Sequence, residues 1–491
     1  MADMIHNGSV PATLPILNVF AMPDTQTAVR GIQMVTIYPV APATMSSVTQ
    51  FNIPGAGKDY IDTERITLHM KVKYVEVSGN DRAKRSLKES GGSSRKRRAG
   101  TPDVSGGEEE GEDAKQDQTL PVADPPVRNV EDRERPTQLM YPINFVHHTA
   151  WRQIDVEANN INLIKANNLY PYESMFKVML RYGYKAKRTH LQSMGYYDEE
   201  QGLLDDIALT GRGSVIKRVK LYSDGKTVDL EGPLMVDALQ LNGRPLLNGV
   251  NLVIKLYPSD KAFYTMTNME DTAYTMELVD IYLKVCKVQV SDSIILAHSV
   301  ALEKSSAVYP FTGSDTKSFT YGQGLSNISI NNVFNQTVPS RIVFGFVSAD
   351  AFNGNVTKNP FNFKHYDVAD IGVTVDGLSV GKPLQLSGWD QDNDEGRQYV
   401  DAYNNLFQVS GTMGQNGGNN ITIDQFAQGF TLFAFNLEPE MKQGNYLNLT
   451  RSGNVRLEIR FKKPLPEPMV AVIYGEQFRI CKIDSARNVS I

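Results

Sequence analysis

Residues 51–77, FNIPGAGKDYIDTERITLHMKVKYVEV, hold a loop with two readings, and the choice between them decides the fold. Pro54-Gly55-Ala56-Gly57-Lys58 has the glycine content of a phosphate cradle. A phosphate-binding loop runs Gly-x-x-x-x-Gly-Lys-Ser/Thr from a strand into a helix, whose first N–H groups face the anion. Here only two glycines occur, Asp59 follows Lys58, and Asp59 and Asp62 would repel phosphate. The next element is no helix, because Ile66, Leu68, Met70, Val72 and Tyr74 alternate with Thr67, His69, Lys71 and Lys73. Period two with one apolar and one polar face marks a half-buried strand. The loop is read as a turn feeding a strand, not as a nucleotide site.

Working outward, Val250, Leu252, Ile254 and Leu256 repeat the pattern, as do Val455, Leu457, Ile459 and Phe461 against Arg456, Glu458, Arg460 and Lys462. Residues 278–290, 341–348, 429–437 and 469–480 are more evenly apolar, the expectation for strands covered on both faces. Asp224-Gly225 separates VIKRVKLY from TVDL, and Asp376-Gly377 separates IGVTV from LSV. Asp-Gly tolerates the positive φ angles of a tight two-residue hairpin, and Asn242-Gly243 and Asn353-Gly354 are two further candidates. One helix is predicted in YPYESMFKVMLRYG, where Tyr172, Met175, Phe176, Met179 and Leu180 form a single apolar stripe that seals a core, with Gly183 placed to end it. With so few helix signals between strands, the class is all-β, an antiparallel sandwich or barrel. The 491 residues exceed the ~250–300 at which a single core stops growing, so two such units are expected. No internal sequence repeat between the halves is evident.

Residues 79–138, from GGSSRKRRAGTP through SGGEEEGEDAKQDQ, are rich in Gly, Ser, Pro and charge and nearly devoid of large apolar side chains. Such a segment buries too little surface to offset its ordering entropy and is expected to be a disordered insertion. The chain as a whole is 41% hydrophobic and 21% charged, ordinary globular material. A net charge of −5 argues against a surface wholly devoted to nucleic acid. Cys286 and Cys481 each sit in a strand-like run, which argues against a disulfide-built secreted fold; one bridge is the alternative, and two separate buried thiols are expected. The first twenty residues carry an early Asp3 and no basic n-region, and no run approaches the ~18 apolar residues of a membrane helix. A soluble protein made in the cytosol is expected, with no transmembrane segment. The seven Asn-x-Ser/Thr sequons, among them Asn335, Asn355 and Asn448, are then Asn- and Thr-rich loops.

No enzymatic signature emerges: there is no His-Glu-x-x-His, no Gly-x-Ser-x-Gly and no Cys–His arrangement, and no catalytic or cofactor-binding residue is assigned. His147 and His148 are adjacent, and neighbours on a strand point apart, so no shared metal is expected. In WDQDNDEG, Asp390, Asp392 and Asp394 stand at positions 1, 3 and 5 of a calcium loop and Asp401 at position 12. Glu395 occupies the position that needs glycine, and an exposed acidic loop is the favoured reading. The cluster Arg95, Lys96, Arg97, Arg98 is solvated charge or, as its leading functional reading, a nuclear-import signal. In DAFNGNVTKNPFNFKHYDV, Phe352, Phe361, Phe363 and Tyr366 interleave with Lys358 and Lys364. Stacking on single-stranded nucleic acid is one reading, and packing under a long loop or at a subunit contact is favoured over it.

Taken in order, several segments resemble the double jelly-roll major capsid proteins (hexons) of adintoviruses and Maverick/Polinton elements. They are PGAGKDYIDT with LHMKVKYV, WRQIDVEANNINLI with NNLYPYESMFKVMLRYG, RIVFGFVSADAFNGNVTKNPFNFKHYDV with VDGLSVGKPLQL, YNNLFQV with GFTLFAFNLEPE, and NLTRSGNVRLEIRFKKPLPEPMVAVIYGE. The resemblance covers most of the chain outside 1–30 and 79–138, and the long insertion departs from the family pattern. It implies two consecutive eight-stranded antiparallel jelly rolls with a few short helices in loops: an arm at 1–27, a first barrel at 28–292 and a second at 293–491. It further implies a homotrimer tiling an icosahedral shell beside a vertex capsid protein, no sequence-specific nucleic-acid contact, and location in the virion, with host cytoplasm and nucleus during assembly. A jelly-roll carbohydrate-binding protein and the single-jelly-roll vertex (penton) protein of the same viruses are the alternatives.

Overall fold

The computed structural model describes residues 19–20, 22, 24–76, 139–164, 166–207, 213–268, 274–389, 396–414, 417–438 and 450–491. Before residue 291 eight strands build two four-stranded sheets, β1 Val29–Ile37, β2 Thr49–Ile53, β3 Tyr60–Glu76, β4 Trp151–Ala158, β5 Ile161–Asn162, β6 Thr227–Pro233, β7 Leu252–Pro258 and β8 Tyr274–Val290, while Met140–Pro142 and Thr265–Thr267 pair apart from them. The eight pair in the orders β1-β8-β3-β6 and β2-β7-β4-β5. Eight more follow: β9 Ala307–Tyr321, β10 Asn327–Ile330, β11 Arg341–Ser348, β12 Val368–Val375, β13 Leu378–Ser379, β14 Phe433–Asn436, β15 Val455–Phe461 and β16 Met469–Ile483. They pair as β9-β16-β11-β14 and β10-β15-β12-β13. Each strand of the second set therefore holds the place of the strand eight before it. Both sets wrap first against eighth and second against seventh, which is the jelly roll. All these pairings are antiparallel. The duplication that no sequence similarity betrays is complete in the topology.

Alternation sets the cores. Ile66, Leu68, Met70, Val72 and Tyr74 of β3 are buried, as are Leu252, Ile254 and Leu256 of β7 and Val455, Leu457, Ile459 and Phe461 of β15. The buried apolar residues of both barrels join in one continuous cluster. Strands β11 and β14 and the first half of β16 are buried on both faces, as their even apolarity predicts. β8 is not: its residues alternate, with Val279 half exposed, so 278–290 is corrected to a strand with one covered face. Both cysteines are buried and unpaired.

The opening loop feeds β3, as expected. A Cβ at Gly55 would lie 2.1 Å from the carbonyl oxygen of Val250, so glycine is needed there for close backbone approach. Asp376 and Gly377 both have positive φ and join β12 to β13 as a two-residue hairpin. Asp224-Gly225 has the same backbone conformation but follows a helix, α2 Gly213–Tyr222, so the strand reading of VIKRVKLY is corrected. Its buried residues Ser214, Val215, Arg218 and Tyr222 fall at helical spacing. Gly354 caps the short helix Ala349–Asn353 in the left-handed region rather than turning a hairpin. The predicted helix, α1, spans Tyr170–Arg181. Gly183 does not end it, since Tyr182 leaves the helix in extended conformation. Gly183 instead admits the carbonyl oxygen of Gly418, 2.8 Å from where a Cβ would stand. α3, Asp292–Lys304, connects β8 to β9, and α4, Val400–Val409, precedes β14.

Candidate assembly site

α1 lies between β5 and β6 in the chain yet packs against β9 and β16 of the second barrel. Tyr172, Met175, Phe176 and Met179 are buried, but so are Glu173, Ser174 and Lys177, so the helix is enclosed all round. Its apolar side meets the aromatic loop: Tyr172 contacts Phe352, Phe361 and Phe363, and Phe176 contacts Phe363 and Tyr474, with ring centroids 5.4–6.5 Å apart. A Cβ at Gly345 of β11 would come within 2.6 Å of the Phe363 ring, so that glycine makes room for the loop. Lys358 and Lys364 are held by Glu467, and Tyr366 donates to the same carboxylate at 2.9 Å. Phe361 and Phe363 are buried and Phe352 half-buried in a barrel–barrel contact, so these rings stack on the chain itself. The packing reading stands, and the partner is the other half of the same chain.

The polar side of α1 forms two linked ion clusters. Lys177 is 2% exposed, and its three N–H donors reach Glu173 at 2.5 Å, Asp237 at 2.9 Å and the Met235 carbonyl at 2.9 Å. Burial alone would lower its pKa, but Asp237 and Glu173 raise it, so the ammonium is kept. Ser314 of β9 hydrogen-bonds Glu173 at 2.7 Å and Asp237 at 2.5 Å, tying the second barrel in. One turn on, Arg181 and Arg341 each approach Glu476 at 2.7 Å, and Tyr474 donates to it at 3.0 Å. Burial would push the Glu476 carboxyl up, yet Arg341 and Arg181 hold it below the usual range. Lys177 and the carboxylates Glu173, Asp237 and Glu476 are buried, and they fix one relative position of the barrels, since a slip would leave a buried carboxylate unpaired.

His147 and His148 are not on a strand. They occupy a one-turn helix, Val146–Thr149, in the first barrel, and both are fully buried. The Leu68 carbonyl can only accept, so His147 Nε2 donates to it at 2.9 Å. Its Nδ1 then accepts from His148 Nε2 at 3.2 Å, His148 Nδ1 accepts from the Tyr170 hydroxyl at 2.7 Å, and that hydroxyl accepts the Met235 N–H at 3.2 Å. Both rings are thus neutral, with fixed tautomers, in a chain of bonds running from β3 to α1. Turning the helix brings the neighbours into contact where a strand would have separated them.

Lys58 pairs with Asp292 at 2.7 Å on the surface. Asp390, Asp392 and Asp394 and the cluster Arg95 to Arg98 lie outside the described residues, and Asp401 is exposed in the first turn of α4. Among the described residues no group of three or more side chains is placed to hold a metal, and no helix is long and apolar enough to cross a membrane. Sequence reasoning missed the ion clusters. Glu173 and Lys177 at i, i+4 were a local sign, whereas Asp237, Ser314, Arg341 and Glu476 come from distant loops and strands.

No family model matches the chain. An uncharacterized protein of Caenorhabditis elegans, F54H12.2, is 28% identical over 353 residues, 71% of this chain and 80% of the relative. Among solved structures, a chain of the Sputnik virophage superposes with a TM-score of 0.59 at 9% identity, covering 98% of this chain and 93% of its own. The Faustovirus major capsid protein gives 0.53 at 10% identity, covering 94% and 92%. The mavirus major capsid protein gives 0.51 at 9% identity, covering 100% and 95%. At such identities the likeness is one of fold, and it runs over both barrels: the chain is a double jelly roll.

Proposed function

We propose that this chain is a major capsid protein of the adintovirus and Maverick/Polinton type, whose work is geometry and association rather than catalysis. The observation that carries the reading is the pair of barrels with one strand order, locked by a seam in which α1 is buried from Tyr170 to Met179. One chain then offers two similar wedges, and three chains offer six, so a homotrimer fills a sixfold place in an icosahedral lattice beside a separate vertex protein. The chain divides at 28–292 and 293–491, with residues 1–27 as an arm and one apolar core running on through both wedges. Two barrels in one chain speak against the vertex protein, for which a single jelly roll is expected. Location in the virion follows, with assembly in host cytoplasm and nucleus. Arg95 to Arg98 would serve import, a role removed if a reporter fused to residues 80–100 stays cytoplasmic. The mass of the purified protein in solution tests the whole. Three chains of 54.6 kDa are expected, and a monomer or a pentamer would overturn the reading.

A further inference from the structure

On the second barrel, α4, β14 and the segment after β13 line a cleft of about 470 Å³, within the ~300–1,000 Å³ range of small-molecule sites. α4 presents two stripes. Ala402, Leu406 and Val409 are buried where the helix packs on β14. Asp401, Asn404, Asn405 and Gln408 fall at i, i+3, i+4 and i+7, so they share one face, and all four line the cleft. Lys382 and Asn436 complete the polar lining, and Leu384, Val409, Ala434 and Phe435 supply buried apolar surface beside it. At the seam, Arg181 and Arg341 close on Glu476, and the polar groups satisfy one another. Here they do not. Among the described residues, the side chains of Asp401, Asn404, Asn405, Gln408 and Lys382 have no hydrogen-bond or ion partner, although Asn404 and Asn405 are half-buried. Asparagine is also a poor residue for a helix interior, because its amide competes for backbone partners. A helix face that served only solubility would carry lysine and glutamate.

We propose that this cleft binds a neutral carbohydrate, one or two rings at the end of a glycan. Each carboxamide both donates and accepts, which is the pairing that neighbouring hydroxyl groups demand, and the Asp401 carboxylate only accepts. The C–H face of a sugar ring is apolar and suits the Leu384, Val409, Ala434 and Phe435 side of the lining. Asp401 and Lys382 cancel in charge, so the cleft lacks the net positive charge that holds phosphate or nucleic acid. Jelly rolls serve as lectin domains as well as capsid walls, so the barrel is compatible with such a site. The inference adds a ligand to the shell reading and does not depend on it, because one chain supplies the whole lining.

Saturation-transfer NMR on the full chain tests this, with the methyl glycosides of galactose, glucose, mannose and N-acetylglucosamine as probes and galactose 6-sulfate as the charged control. At least one neutral glycoside is expected to receive signal, with a Kd on the order of 1 mM for so small a ligand. Asn404→Ala with Asn405→Ala is expected to weaken that binding about 10-fold or more. Alanine is the better helix former, so the variant keeps α4 and the loss is not one of folding. No signal from any neutral glycoside, signal undiminished in the variant, or binding confined to the sulfated sugar overturns the inference. A variant whose solution mass falls below that of the wild type overturns it too, since the cleft is then a contact between copies. The wild-type mass alone decides the trimer reading, so the two can fail separately.

Discussion

Lys177→Met is expected to cost about 3–5 kcal/mol, the range for breaking a buried ion pair by removing one partner. The side chain is nearly the same length, so the packing of α1 changes little and the loss is electrostatic. Glu173 and Asp237 would then lie buried with no cation, and the Ser314 hydroxyl can donate to only one of them at a time. Against a total stability of ~5–15 kcal/mol, that is enough to leave the chain marginal. Two controls separate this cause from general disruption. Lys71, paired with Asp229 on the surface at 3.3 Å, should tolerate Lys71→Ala within ~1 kcal/mol, because exposed pairs contribute little. Adding Glu173→Gln and Asp237→Asn to Lys177→Met should recover much of the loss, since neutral amides can be buried with the hydrogen bonds that remain. Urea unfolding at pH 7.5 measures all three. A Lys177→Met variant as stable as Lys71→Ala would show that the cluster does not hold the seam.

The second large effect is acid sensitivity. Burial first, and His69 second, lower the pKa of His147 to about 4, although the Leu68 carbonyl and Glu231 pull the other way. Burial, His147 and Lys177 push His148 well below its ordinary value. In the unfolded chain both rings titrate near 6.5. As pH falls from 6.5 towards 4, the unfolded chain takes up protons that the folded chain refuses, so stability falls with pH throughout that window. The His147 shift alone corresponds to about 3 kcal/mol once the window is crossed. Glu476, held below its ordinary value, loses its contribution only at lower pH, and Glu173, which burial raises, takes up its proton earlier in the folded chain and opposes the slope, so a fall in the upper part of the window belongs to the histidines. His148→Gln keeps a donor for His147 and an acceptor for Tyr170 and should remove about half the slope between pH 7 and 5. A wild type whose urea midpoint is flat over that range would contradict the bonded histidine chain.

The strands and α1 were readable because period two and a broad helical stripe are local signals of burial. VIKRVKLY was misread for a physical reason: eight residues fit both periods, and Asp224-Gly225 behind them imitates a hairpin. The deciding fact is Arg218, fully buried against Glu199, and a buried charge is invisible to hydropathy. His147 and His148 were placed on a strand because two residues carry no period at all. The seam was the least legible part. Its aromatic half showed in the loop 350–368, but its charged half joins residues as far apart as 173, 237, 314 and 476. Only the wrap of two barrels brings those together.

Electron microscopy of the purified protein, averaged down its symmetry axis, bears most directly on the claim that two locked barrels per chain build a shell. The account predicts particles of three chains with six lobes around one centre. Averages showing two-lobed single chains, or a ring of five, would contradict it.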